Sequence, residues 1–222
     1  MRFIDADAVE AALAYPRLVD ILEAAFRTGA IAPLRHHHPI KLAGRPDAML
    51  LLMPAWQSAS PGATTAGQYA GVKLVTVFPD NGARYAKPAI YGAYLLLSAD
   101  TGEPLALMDA PKLTVWRTAA ASALASRFLS RPEASRLVVV GAGALAPYLA
   151  RAHASVRPIR DIAVWNRSAE GAARVVAGLG RLGIQARVAD DLEAAVRAAD
   201  IVSTATLSET PVVRGAWLKS GA

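Results

Sequence analysis

Leu137-Val138-Val139-Val140-Gly141-Ala142-Gly143-Ala144-Leu145-Ala146 is the stretch that organises this chain. An apolar, mostly β-branched run predicts a buried strand. The G-x-G-x-x-A string after it predicts a turn that opens a helix over 144–155. In such a turn Gly141 permits the tight reversal, Gly143 lets the backbone approach a pyrophosphate, and Ala146 is small enough for helix and strand to pack closely. The free N–H groups at the start of the helix then offer themselves to phosphate oxygens.

A glycine-rich string by itself occurs in many loops, so its context decides the reading. Downstream, 162–165 reads as a strand, 169–179 as a helix, 186–189 as a weak strand, 192–198 as a helix and 201–205 as a strand. That alternation predicts parallel strands joined by crossover helices, a Rossmann-type α/β sheet. Upstream the pattern differs. Residues 7–29 read as a helix in two pieces, broken near Pro16 and stopped at Gly29. Residues 48–54, 72–78, 89–97 and 104–109 read as strands. Pro79-Asp80-Asn81-Gly82 and Ser98-Ala99-Asp100-Thr101-Gly102 are the turns between them. A long Ala-rich helix over 112–129 links the two patterns. The expected architecture is therefore an α+β domain over 1–115 followed by a dinucleotide-binding domain over 116–222.

Composition bounds the function. The chain of 222 residues is 54% hydrophobic, 6% aromatic and 19% charged, a globular profile. It has no Cys, which excludes disulfides and Cys-ligated metals and suits a reducing compartment. Met1-Arg2-Phe3-Ile4-Asp5 lacks the apolar core of a signal peptide, and no apolar run reaches the roughly 18 to 20 residues of a membrane span. A cytoplasmic protein without membrane partners is expected. The net charge of +6 favours anionic ligands, but the Arg residues are scattered, so no nucleic acid is expected. His36-His37-His38 could present two rings on one face of a strand. No third ligand is evident nearby, and no metal is expected.

The end of the second parallel strand reports on the nucleotide. An acid there binds a ribose 2′-hydroxyl, whereas an Arg accommodates a 2′-phosphate. The residues are Val164-Trp165-Asn166-Arg167-Ser168, with no acid. The planar fork of Arg167 and the hydroxyl of Ser168 suit a phosphate. The plainer alternative makes Ser168 a helix N-cap and Arg167 a solvated turn residue. NADP(H) is favoured, with NAD(H) possible.

Four segments together carry a resemblance. Gly71-Val72-Lys73-Leu74-Val75, Pro79-Asp80-Asn81, Leu113-Thr114-Val115-Trp116-Arg117-Thr118-Ala119-Ala120-Ala121-Ser122-Ala123 and the glycine loop occur in that order. They resemble the ornithine cyclodeaminase/mu-crystallin family. The resemblance implies a substrate-binding and dimerisation domain ahead of the nucleotide domain, and a homodimer. It also implies roles. Arg35 and Arg117 would bind the substrate carboxylate, and Lys73 would contact that carboxylate or the nitrogen-bearing centre. Thr118, Gly141, Gly143 and Ala144 would contact the cofactor phosphates. Asn166, Arg167 and Ser168 would form the adenosine-phosphate turn, and Thr204, Ala205 and Thr206 would line the nicotinamide side.

Two departures stand out. Relatives often carry Thr or Ser near the strand at residue 90, where this chain has Lys87-Pro88-Ala89. Relatives are also longer, so the last Rossmann strands and a downstream acid/base Asp are expected to be missing after Ala222. The implied partner is a small carboxylate-bearing imino or amino acid. The favoured reaction is NADPH-dependent reduction of Δ1-pyrroline-2-carboxylate or Δ1-piperideine-2-carboxylate, to which Leu145-Ala146-Pro147 in the loop also points. Alternatives are ornithine cyclodeamination, a non-catalytic NADPH-dependent binder like the crystallin, and alanine dehydrogenation.

Overall fold

A computed structural model describes residues 1–57 and 68–222. The chain divides into two compact units, Met1–Leu13 with Ala24–Thr114, and Ala14–Glu23 with Val115–Ala222.

The first unit begins with β1 (Arg2–Ile4) and α1 (Ala6–Ala12). Asp5 caps α1 by accepting the Ala8 N–H at 2.8 Å, which satisfies one of the orphan donors of the first turn. Helix α2 (Tyr15–Thr28) has Pro16 in its first turn and ends at Gly29, whose φ of 77° closes it. Five strands follow: β2 (His36–Ile40), β3 (Ala48–Trp56), β4 (Tyr69–Val77), β5 (Ile90–Ser98) and β6 (Pro104–Asp109). A short helix α3 (Asn81–Tyr85) lies between β4 and β5. The sheet order is β1-β6-β5-β4-β3-β2. All pairs are antiparallel except β1 with β6.

The turns are built from the residues the sequence singled out. The Ser98 hydroxyl accepts the N–H groups of Asp100 and Thr101 at 3.2 Å each, and Gly102 takes a φ of 74°. Pro79-Asp80-Asn81 does more than turn the chain. Arg45 donates two bonds of 2.8 Å to Asp80, tying the β2–β3 turn to the end of β4. Asn81 Nδ2 donates to the Pro88 carbonyl at 2.9 Å and its own carbonyl accepts the Lys87 N–H at 3.2 Å. Three elements differ from the sequence reading. Residues 81–85 form a helical turn instead of loop, because these local bonds wind the segment. Strands β1 and β2 were not among the expected strands. β1 has only three residues, too few to show a period, and β2 is a polar edge strand with three successive His.

Helix α4 (Ala110–Leu129) starts two residues before its expected position, with Asp109 accepting the Lys112 N–H at 2.7 Å. The second unit then runs β7 (Arg136–Val140), α5 (Ala146–Ala154), β8 (Asp161–Trp165), α6 (Ala169–Arg181), β9 (Arg187–Val188), α7 (Leu192–Ala198) and β10 (Ile201–Thr204). The strands pair in parallel in the order β10-β7-β8-β9. Leu137 through Val140 are all buried, as expected of a central parallel strand covered on both faces. Val138, Val140, Ala163, Val196 and Ala199 form one core cluster. Asp200, at the foot of β10, accepts the N–H groups of Ser135 and Arg136 at 2.9 Å each and pairs with Lys219 at 2.6 Å. Lys219 in particular holds its carboxyl well below the usual carboxylate range. The α/β class expected from the alternating pattern is the one observed.

Candidate functional site

In the second unit β7 is central. The chain leaves it for β8 and β9 on one side and returns to β10 on the other. The order reverses between β7 and β10, and ligands of open α/β sheets bind outside the carboxyl ends of the strands at such a point. The turns after these two strands meet there. Ala205 N donates to the Val140 carbonyl at 2.8 Å, and Gly141 N donates to the Trp165 carbonyl at 2.8 Å. Gly141 has a φ of 114°, and a Cβ on it would fall 2.2 Å from the Ala205 oxygen and 3.3 Å from Thr206 Cγ2. Only glycine satisfies both the backbone angle and this approach. A Cβ on Gly143 would meet nothing within 4 Å, so the backbone there is open to an approaching group.

Gly141, Ala205 and Thr206 are thus brought together. Gly143 and Ala144 are exposed in the same turn. Ala144, expected to open α5, lies before it. The helix begins at Ala146 with Pro147 in its first turn, and proline lacks an N–H, so one phosphate-facing donor of that turn is absent. Thr204 is exposed at the end of β10. On α4, Arg117 is exposed and Thr118 is partly buried, while Trp116, Ala119 and Ala120 are core residues.

The Asn166-Arg167-Ser168 turn follows β8. Ser168 Oγ accepts the Gly171 N–H at 3.3 Å and N-caps α6. Asn166 Nδ2 donates to the Ser168 carbonyl at 3.1 Å. A Cβ on Gly171 would lie 2.6 Å from that amide nitrogen and 3.5 Å from Ala142 Cβ. Asn166 therefore packs into the gap left by Gly171, beside the glycine loop. Arg167 is left exposed at the tip. These pieces fit a dinucleotide: a glycine-floored gap for pyrophosphate and, one strand over, a turn that presents a guanidinium.

In the first unit, Lys73 is partly buried in the middle of β4, between Met53 of β3 and Tyr94 of β5. Arg35 is exposed, one residue before β2. His36 pairs with Leu52, so Arg35 falls near the end of the Lys73–Met53 row. The two backbones lie two strand spacings apart, roughly 10 Å. Lys87 lines an open cavity with Thr76, Phe78, Asn81, Tyr85 and Tyr91. Thr76 and Tyr91 pair with each other and alternate away from Lys73 and Tyr94, so the strand residues of that cavity belong to the opposite face.

His36 and His38 do share a strand face, with ring centroids 6.1 Å apart. Among the described residues no group of three or more His, Asp or Glu is placed to hold a metal. Nor is any described helix long and apolar enough to cross a membrane.

Tyr94 was not among the candidates read from the sequence. It shares a register position with Lys73, and its ring lies over Gly71, where a Cβ would fall 2.2 Å from the hydroxyl. Burial pushes its phenol pKa up. The one sequence signal was a glycine inside a strand, which marks a close approach without naming what approaches.

The ornithine cyclodeaminase/mu-crystallin family model matches residues 2–222. The chain belongs to this family. Within it, the chain is 34% identical over 225 residues to the Delta(1)-pyrroline-2-carboxylate reductase of Colwellia psychrerythraea, covering 100% of this chain and 68% of that protein. The structure of the Thermococcus litoralis Delta(1)-pyrroline-2-carboxylate reductase in complex with NADH and L-proline is similar, with a TM-score of 0.84 and 26% identity over 100% of this chain and 67% of that one. An archaeal alanine dehydrogenase dimer with bound NAD gives a TM-score of 0.83 and 28% identity, covering 100% of this chain and 65% of that one. The chain spans between 57% and 68% of the length of the first curated family relatives it matches.

Proposed function

We propose that this chain carries the nucleotide-binding and substrate-binding elements of an oxidoreductase that reduces a cyclic imino acid with NADPH. The substrate would be Δ1-pyrroline-2-carboxylate or Δ1-piperideine-2-carboxylate, and the product L-proline or L-pipecolate. The observation that carries the cofactor choice is the turn after β8. Its acid position holds the neutral Asn166, whose Nδ2 donates within the turn, and Arg167 stands exposed beside it. An exposed guanidinium without a neighbouring acid favours a 2′-phosphate over a bare ribose. The family's reductases support the reaction.

Bound at Gly141, Gly143, Ala144 and Thr118, with Thr204, Ala205 and Thr206 at the nicotinamide end, NADPH supplies hydride to the C=N carbon. The chain's own residues do the rest. Arg35 of the first unit is assigned to the substrate carboxylate, and Arg117 of the second unit is assigned the same role; a guanidinium contact of this kind orients the imine plane. Lys73 places an ammonium at the carboxylate and the imine nitrogen, the atom that ends with the added proton.

The wild type is expected to consume NADPH with either imino acid and to prefer it to NADH. Arg167→Ala should weaken NADPH by about tenfold and leave NADH nearly unchanged, a loss typical of a charge-assisted phosphate contact. An unaltered preference would move 2′-phosphate recognition elsewhere. Ammonia release from L-ornithine, without net NADPH consumption, would instead mark a cyclodeaminase. A protein that binds NADPH and turns over neither compound would be a binder.

The functional form is a homodimer in this reading. Phe3, Leu74 and Tyr91 are 78%, 39% and 45% exposed on one face of the first unit's sheet. Val72, Leu95 and Leu107 lie between them. A contiguous apolar face of this kind is what subunit association buries.

A further inference from the structure

We propose that the Tyr94 hydroxyl is a substrate-binding group: a neutral hydrogen-bond donor to the substrate carboxylate, seated beside Lys73 by the absence of a side chain at Gly71. This rests on the reading of Lys73 as a substrate residue.

The argument starts from the register. Tyr94 pairs with Lys73 across the β4–β5 ladder, so both side chains leave the same face of the sheet. Gly71 lies two residues before Lys73 and shares that face. Its missing side chain is what the tyrosine occupies. A Cβ there would fall 2.2 Å from the hydroxyl, 2.6 Å from Cζ and 3.0 Å from Cε1. The ring is therefore laid across β4, and its hydroxyl is held over the strand that carries the lysine.

A packing role alone would be served by phenylalanine, without placing a hydroxyl in this row. The phenol is partly buried and burial raises its pKa, so it keeps its proton at neutral and mildly alkaline pH. It is thus a donor whose state does not change when a carboxylate arrives. A lysine makes point contacts and fixes no plane, and a carboxylate has about four lone-pair sites to fill. A second, fixed donor a strand away gives the carboxylate an orientation that the ammonium alone does not. Leu96 and Met108 flank Tyr94 along and across its face, so the donor emerges from an apolar floor suited to the methylenes of a small ring.

The test is made on the full chain, by kinetics and by calorimetry. With Δ1-pyrroline-2-carboxylate, Tyr94→Phe is expected to raise the KM for the imino acid about tenfold while kcat and the KM for NADPH stay within about threefold. Gly71→Ala keeps the hydroxyl but pushes it away, and is expected to reproduce that rise. An unchanged KM in Tyr94→Phe overturns the proposal. So does a Gly71→Ala variant that folds with an unchanged KM.

Calorimetry with L-proline, L-alanine and pyruvate separates this proposal from the reductase reading. A wild type that binds one of these but reduces no imino acid removes the reductase reading. The tyrosine then stands if Tyr94→Phe weakens that binding about tenfold, and falls if it does not. A wild type that binds no carboxylate by either measurement overturns both.

Discussion

Lys73 and His153 show how differently two polar side chains can be placed by burial. Lys73 lies in an apolar strand with Leu74 and Val75 after it and Tyr94 opposite, and it is read here as the substrate's cationic partner. Lys73→Ala is expected to abolish imino acid reduction in a steady-state assay, with NADPH affinity by fluorescence titration within a few-fold of wild type. Intact turnover would take Lys73 out of the site. His153 is 1% exposed, with Ser122 Oγ at 3.2 Å and Ser126 Oγ at 2.9 Å from its ring nitrogens. Burial pushes its pKa from about 6.5 down to about 4. The unfolded chain then binds a proton that the folded chain refuses between those values, so stability rises with pH across that window. It is complete above about pH 6.5 and is lost as pH falls towards 4. The loss is on the order of 3 kcal/mol. Urea unfolding at pH 7 and pH 4.5 measures it. His153→Gln should flatten the difference, and an equal difference in the variant would assign the pH dependence to other groups.

The ends of elements carry as much design as their middles. Helix α4 ends at Leu129, and one side chain from beyond α5 collects a carbonyl of its last turn together with those of the two residues that follow it. Arg157 donates to the carbonyls of Arg127 at 2.7 Å, Ser130 at 2.9 Å and Arg131 at 3.0 Å, and to Val156 O at 2.8 Å. A guanidinium at a helix C-terminus also opposes the helix dipole. Arg157→Ala strands several partly buried acceptors at once. It should cost about 2 to 3 kcal/mol in a denaturant titration with an unchanged slope. Arg160→Ala, an exposed neighbour, should cost less than about 0.5 kcal/mol. Equal effects would show that Arg157 contributes no more than a surface charge. Little in the sequence announces this cap, because the acceptors and the donor are about 30 positions apart. The strands β7, β8 and β10 were legible to within a residue, because an unbroken apolar run between turn residues has few other readings. The N-cap at Ser168 was legible too, as one of two alternatives. The structure shows the cap, and leaves phosphate recognition as a proposal centred on Arg167.

Across the molecule, the exposed apolar face of the first unit is the feature that calls for a partner. Leu74 is 39% exposed on the face opposite Lys73. Leu74→Arg would place a charge in any sheet-on-sheet contact there, and burial of an unpaired charge is costly. Sedimentation velocity is expected to show a dimer for the wild type and a shift to monomer for the variant, at unchanged NADPH affinity. A variant dimer of undiminished stability would put the interface on another surface.

What the amino-acid order determined by itself was local. The period of apolar residues, the placement of Gly and Pro, and the step from strand to glycine loop to helix specified most element types, the α/β class and the glycine-rich turn. These signals are short-range, since backbone angles and burial of one face are settled within a few residues. Only the tertiary structure decided which strands are neighbours. It put the Ala205 carbonyl against Gly141, paired Lys73 with Tyr94, and set three-residue β1 beside β6. Those pairings join residues tens to about a hundred positions apart. They follow from burying every apolar face at once, a collective condition that no single stretch of the chain contains.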